Sequence, residues 1–475
     1  MKLSTENKIS GIGRKIPKAV PFILLNILLE RYSTTGISSV LLLFLHNKLS
    51  FDQGTSTALF HTNEFLSYFF PILGAILGDS YWGLYKTLTI MSLVFAAGSG
   101  IISISGIELL HLPVIYLTIF GLIISVIGSG SVRANLTAFG GSQYQVPEQN
   151  ESLKLYFSIQ LVFLKMGSLL GRAINPILKE NSCFDSHDCY PLAFGIPSLA
   201  MLTALLLLIC GKSFYIHKAP TDNIFLKVCG CVKCGLKEFF TRNKKIEKKN
   251  HWLDYAIIKY DQKLIDDTKQ VLRILIIFSP MPIYWAVYMQ QSSKWIFQAT
   301  RTNGNIGWFT IKPDQMIALN PLFSILLMAF CNYVLFPLLA KIKIHTLLHK
   351  IAIGIILCCV AFGIAIFTEI MIQKSFISIL WLFPQFAVLA LAENCAFASM
   401  LNFAFTEGPT SMKSVMTACV FVTIAFGNLI VTIVSASKLF SSQIIEYLFF
   451  IGVLLVALFV FLFFISKFKN NREEK

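Results

Sequence analysis

The chain has 475 residues, 55% of them apolar and only 14% charged, with a mean hydropathy of +0.68. Soluble proteins carry roughly 25% charged residues, so a water-soluble globule is excluded, and at about 20 apolar residues per crossing there is room for about twelve transmembrane helices. The net charge of +15 does not read as nucleic-acid binding: 14 of the 40 Lys and Arg lie between Lys212 and Arg273, where they mark a cytosolic segment.

Residues 1–18 are polar and basic and lack a signal-peptide pattern, so the first helix is expected to drive insertion. Apolar windows predict spans at 21–46, 56–78, 88–107, 113–132, 155–178, 193–210, 272–292, 316–339, 351–370, 377–405, 415–436 and 444–464. The expected fold is all-α and polytopic, with both termini cytosolic. That topology leaves only Lys48, Lys179, Lys294, Arg301, Lys312, Lys374 and Lys438 in the outer loops. It also divides the chain into a six-helix bundle at 1–211, a basic cytosolic linker at 212–270 and a second six-helix bundle at 271–475, as in transporters built from repeated bundles around a central pathway. Within the linker, 225–240 reads equally as an amphipathic surface helix or as a solvated basic loop.

Most of the eleven cysteines are scattered through the spans as small apolar fillers. Cys183 and Cys189 share an outer loop and are expected to form a disulfide. Cys229, Cys231 and Cys234 lack a fourth ligand at finger spacing, so no metal site is expected.

An ionisable side chain at bilayer depth costs on the order of 3 kcal/mol, which makes each one a candidate functional residue. The set is Glu30 and Arg31 in the first span, His61 and Glu64 in the second, Arg133 at the end of the fourth, Lys165 and Arg172 in the fifth, and Glu393 in the tenth. Glu369 and Glu446 sit near span ends and are expected to be solvated. Charges of both signs in both halves suit a ligand with separated ionic ends. His61, Glu64 and Tyr68 stand at i, i+3 and i+7, so one helical face can hold a titratable cluster; the alternative is a structural contact between helices. No nucleophile elbow, phosphate loop or pair of catalytic carboxylates appears, so an enzyme is not expected.

The segment from Gly74 through Asp79 and Gly83 to Lys86 resembles the motif between the second and third helices of the major facilitator superfamily. The blocks Glu30-Arg31-Tyr-Ser-Thr-Thr-Gly36, His61-Thr62, Gly128-Ser-Gly-Ser-Val-Arg133, Cys189-Tyr-Pro-Leu-Ala-Phe-Gly195, His251-Trp-Leu-Asp-Tyr-Ala256 and Gln290-Gln-Ser-Ser-Lys-Trp295 are similar to those of the proton-coupled oligopeptide transporters, animal type, without their large extracellular domain. The resemblance implies uptake of di- and tripeptides or related solutes by alternating access, with protons as the coupling ion and no other cofactor. It implies that Arg31 faces a peptide carboxylate, Glu393 its amine and Asn320 its backbone. Trp285 and Tyr68 would form the pocket wall, with Arg133 and Lys165 among the substrate-binding residues. Glu30, His61 and Glu64 are the expected proton-coupling residues, and Asp79 and Arg273 the expected gating residues.

The chain also departs from that pattern. Ile27 stands where the family has a first-helix Glu, Thr34 and Thr35 replace tyrosines, Leu161 and Lys165 replace Tyr and Asn, and Met289 and Asn332 replace Asp. Acids are lost and a cation gained, which shifts the site toward anionic ligand ends, and Glu64 is the candidate substitute for the missing acid. A small peptide-like substrate and the lipid bilayer are the expected partners. The chain is expected to act as a monomer, in the plasma membrane rather than an endolysosomal one. A non-transporting or uncoupled relative, serving as sensor, scaffold or facilitator, remains the alternative.

Overall fold

The structure, a computed structural model, describes residues 16–473 apart from 146–147, 184–186, 218–219, 221–223, 242–248, 250, 342–345 and 441. The tips of both termini and much of the linker's basic run therefore lie outside the described residues. Helices dominate: α1 Val20–Leu43, α2 Gln53–Phe69, α3 Leu84–Ser105, α4 Val114–Gly141, α5 Asn150–Lys179, α6 Tyr190–Cys210, α7 Ile224–Thr241, α8 Gln262–Phe278, α9 Met281–Met289, α10 Leu319–Phe330, α11 Leu347–Lys374, α12 Phe383–Glu407, α13 Lys413–Ala436 and α14 Gln443–Glu473.

Among the described residues, nine helices are long and apolar enough to cross a membrane, and a tenth crossing is the bent pair Gln262–Phe278 and Met281–Ala299, which turns through 50°. Pro280 and Pro282 sit at that bend, where each removes a backbone donor. Twelve spans were expected. The shortfall is in the first two, because α1 carries Glu30, Arg31 and a run of hydroxyl residues, and α2 ends at Phe69 ahead of Pro71. Polar α1 still holds its helix: Ser33, Thr34 and Thr35 return their hydroxyls to the carbonyls of Leu29, Glu30 and Arg31.

Buried apolar side chains gather in two large clusters. One is drawn from Ala19 to Leu208 with Tyr215, Ile296 and Phe297, and the other from Val228 to Phe461. α1 packs along α5 and α6, α3 along α4 and α6, α11 along α12, and α2 crosses to α13 of the other cluster. Close approach of α5 to α1 depends on Gly167 and Gly171: a Cβ at either would stand 2.5 or 2.6 Å from a carbonyl oxygen of α1. In the linker, α7 is a helix whose Val228, Cys231 and Gly235 are buried; it packs against residues 252–258, and Cys231, Leu253 and Ala256 form a small core with Ile265 of α8.

One end of the bundle, which holds the α5–α6 connection, is tied by charge. Cys183 and Cys189 form a disulfide, and the Cys189 amide donates to the Lys179 carbonyl at 2.6 Å. Lys179 meets Asp314 at 2.5 Å, Lys312 meets Glu180 at 2.5 Å and Lys438 meets Asp52 at 3.0 Å, each pair joining the two halves of the chain. The expectation that Glu369 and Glu446 are solvated is overturned. Glu369 is fully buried and takes both prongs of the Arg301 guanidinium at 2.7 Å, and Glu446 pairs with Lys294 at 2.8 Å. The segment 294–301 folds over both helix ends and supplies the cations.

Candidate functional site

A cavity of about 250 Å³ opens between the two halves. Arg31, Tyr68, Arg133, Lys165, Trp285, Asn320 and Glu393 all line it, and so does Glu64. A charged side chain in a span needs water or a partner, so α1, α2, α4, α5, α9, α10 and α12 turn their few polar residues to the same space.

The cavity's cations are Arg31, Arg133, Lys165 and Arg172. Glu30, 1% exposed beneath the wall, lies 3.2 Å from Arg31 Nε. Arg133 stacks its guanidinium 4.8 Å from the centre of the Tyr68 ring, while its Nε and Nη1 are buried without a hydrogen-bond acceptor. Arg172 spends Nη1 on the Ile317 carbonyl at 3.4 Å and has no acceptor at Nε. Arg133 and Arg172 both lie within electrostatic reach of Arg31. Such a trio of guanidinium groups, only partly compensated, is chemically an anion site.

The opposite wall is aromatic. Trp285 packs edge-on against Phe397 and Tyr288, with its indole Nε1 unpartnered, and Tyr288 accepts from Asn320 Nδ2 at 3.1 Å. Glu393 is the carboxylate of this wall. Its Oε1 accepts from Lys165 Nζ at 2.9 Å, across the interface between halves, and the Tyr288 hydroxyl lies beside the same carboxylate, whose Oε2 is buried. Lys165 also donates to Ser324 Oγ at 3.0 Å, and Ser324 in turn donates to Asn394. Glu64 accepts a hydrogen bond from Ser38 at 2.8 Å.

His61 does not share the cavity with Glu64 and Tyr68. It is fully buried, with Nδ1 2.8 Å from Asn428 Oδ1 and Nε2 2.8 Å from Ser293 Oγ. Positions three apart diverge by about 60° around a helix, and α2 uses that angle to press one edge on α13 while the other faces the cavity. Asp79 is half-buried in the π-helical turn Leu77–Trp82, and Arg273 is exposed on α8. Among the described residues the two make no ion pair, with each other or with any other group.

Arg172, singled out in the sequence as a charge within a span, also lines the cavity. Tyr288 escaped the sequence reading of the site, although it stands three residues after Trp285 and so shares a helical face with a residue already chosen. Ser324, fully buried behind the wall, carried no signal, since a lone serine in a span is usually structural.

The sequence profile PTR2, described as the POT family, matches residues 85–445. The chain belongs to the POT family. Curated relatives of this POT chain include Peptide transporter family 1 of Drosophila melanogaster, 35% identical over 360 residues that cover 76% of the chain and 48% of that protein. Another is Solute carrier family 15 member 1 of Homo sapiens, 35% identical over 418 residues, 84% of the chain and 58% of that protein. The chain thus spans about half the length of the curated relatives it matches. The fold is that of the POT family transporter PepTSo, whose crystal structure superposes with a TM-score of 0.86 at 23% identity, covering 96% of this chain and 99% of that one.

Proposed function

We propose that this POT-family chain is a secondary active transporter rather than an enzyme. In this reading it takes up di- and tripeptides, or related small zwitterionic or anionic peptide-like solutes, together with protons. It works as a monomer in the plasma membrane, needs no cofactor beyond the coupling proton, and keeps both termini cytosolic. The observation that carries the reading is the central cavity, bounded by both halves of the chain and lined by charges of both signs. Alternating access follows physically. The pairs Lys179–Asp314, Lys312–Glu180 and Asp52–Lys438 between the two halves hold one end shut, and their rupture lets the bundles at 1–211 and 271–475 rock about the cavity while 212–270 bridges them. Within the cavity, guanidinium groups take a ligand carboxylate in bidentate fashion, and the aromatic wall accepts side chains of varied shape.

The test is uptake of a labelled dipeptide into proteoliposomes, with and without an inward proton gradient. Gradient-stimulated uptake is expected. Uptake indifferent to the gradient identifies a facilitator, and binding without uptake identifies a sensor or scaffold. Ile27 at the position of the expected acid is the observation that favours those outcomes.

A further inference from the structure

The carboxylate on the aromatic wall is already matched by a cation of the protein itself. Lys165 reaches from α5 to Glu393 on α12, 228 positions away, and the pair is largely enclosed, with 20% and 12% of the two side chains exposed. Ser324 fixes the same ammonium from a third helix. A ligand ammonium arriving at Glu393 therefore meets one carboxylate shared by two ammonium groups, with the Arg172 guanidinium also within electrostatic reach. A neutral N–H meets no such penalty at the Glu393 carboxylate, beside which the Tyr288 hydroxyl also lies.

Net charge points the same way. Four cations face two carboxylates in the cavity, and buried Glu30 supplies a third, so the site's side chains carry one formal positive charge in excess. A zwitterion leaves that excess untouched. A ligand with one carboxylate and no ammonium cancels it, and its carboxylate finds the unpartnered N–H groups of Arg133 and Arg172.

We propose that Lys165 is a tethered ammonium occupying the amine position at Glu393, so that the cavity selects peptide-like monoanions whose amino end is acylated over free zwitterionic peptides. This rests on the cavity being the ligand site of the proposed transporter. Lys165 is accordingly a specificity-determining residue, and the acyl amide N–H of the ligand donates to the Glu393 carboxylate.

The experiment pairs binding with uptake on the full chain, using N-acetyl-Ala-Ala and Ala-Ala. Binding is read from ligand-induced thermal stabilisation of the purified protein, and uptake from proteoliposomes. The wild type is expected to bind N-acetyl-Ala-Ala about tenfold or more tightly than Ala-Ala, the scale of leaving one buried charge poorly paired. Lys165→Met exposes the Glu393 carboxylate to the ligand and is expected to narrow or invert that ratio. Equal or tighter binding of Ala-Ala by the wild type overturns the inference, and so does failure to bind either compound. Because that comparison uses the wild type alone, it decides even if Lys165→Met does not fold. An unchanged ratio in a folded Lys165→Met protein also overturns it. Preferential binding of the acetylated compound without uptake upholds the selectivity and refutes transport, which keeps the two conclusions separable.

Discussion

The disulfide-bearing end of the bundle and the central cavity both hold buried charge, and they treat it in opposite ways. At the end, Lys179 finds Asp314, Arg301 finds Glu369 by two parallel bonds, and Lys294 finds Glu446. In the cavity, Arg133 has an aromatic face but no acceptor for two of its nitrogens, and Arg172 has only a long contact to a carbonyl. Both arrangements bear the cost of bringing ions into the membrane. Where the partner lies in the same chain, the compensation is spent on holding two helices together. Where it is missing, the charge is left to a ligand. Paired and unpaired charges should therefore respond to mutation on different scales and in different assays.

The largest effect belongs to the paired set. Asp314 is fully buried against Lys179, so Asp314→Asn leaves an uncompensated ammonium and is expected to lower stability by about 3–5 kcal/mol, read as a fall in thermal unfolding temperature in detergent. Adding Lys179→Met should restore most of the loss. If the single variant unfolds like the wild type, the pair does not hold this end shut.

Arg133 makes the opposite prediction. Arg133→Ala strands no partner, so the unfolding temperature should stay near that of the wild type, whereas affinity for a carboxylate-bearing ligand such as N-acetyl-Ala-Ala should fall roughly 30- to 1,000-fold. Arg31→Ala lies between the two cases, because it also strands Glu30, and should lose both stability and uptake. Intact uptake by Arg133→Ala would erase the distinction drawn between the two regions.

Much of this was legible in the sequence, for one physical reason: charge in a span is so costly that the few residues bearing it converge on one wet space. Arg31, Glu64, Arg133, Lys165 and Glu393 were identifiable by that rule. Pairing was not legible, because helical spacing fixes which side chains share a face and says nothing of which helix will meet that face. Hence Lys165 with Glu393, and His61 with Asn428 and Ser293, depend on tertiary contacts across 228, 367 and 232 positions. The solvated reading of Glu369 and Glu446 failed similarly, since their cations lie at the two ends of the short helix Lys294–Ala299, which only folding brings near.

A smaller effect separates the two members of the α2 motif. Glu64 faces the cavity with one hydroxyl partner, and His61 is sealed between helices. Uptake is expected to rise as the outside is acidified, and Glu64→Gln should flatten that rise by several-fold while changing ligand affinity less. A pH profile of Glu64→Gln superimposable on the wild type would leave Glu64 with a structural role alone.

The smallest effect is at Asp52, the exposed member of the closing set, where capping and ion pairing can be told apart. As the N-cap of α2 it accepts from the Gly54 and Thr55 amides and from the Thr55 hydroxyl, and Lys438 of the other half donates to it at 3.0 Å. The Thr55 hydroxyl first, and then Lys438, hold its carboxyl well below the usual carboxylate range. A depressed carboxylate stabilises the fold above its unfolded pKa of about 3.9, and that contribution fades as pH falls through the lower folded value. Asn also caps well, so Asp52→Asn removes only the charge, and the exposed pair is worth no more than about 0.2–1 kcal/mol, reduced further by salt. Asp52→Ala removes the cap as well and should cost about 1 kcal/mol more at every pH. The difference between wild type and Asp52→Asn should therefore be present at pH 7, absent in strong acid, and reduced but not abolished in a Lys438→Gln background, where the Thr55 hydroxyl and amide still favour the carboxylate. A difference as large there as in the wild-type background would mean that the carboxylate acts on α2 alone and contributes nothing to joining the halves.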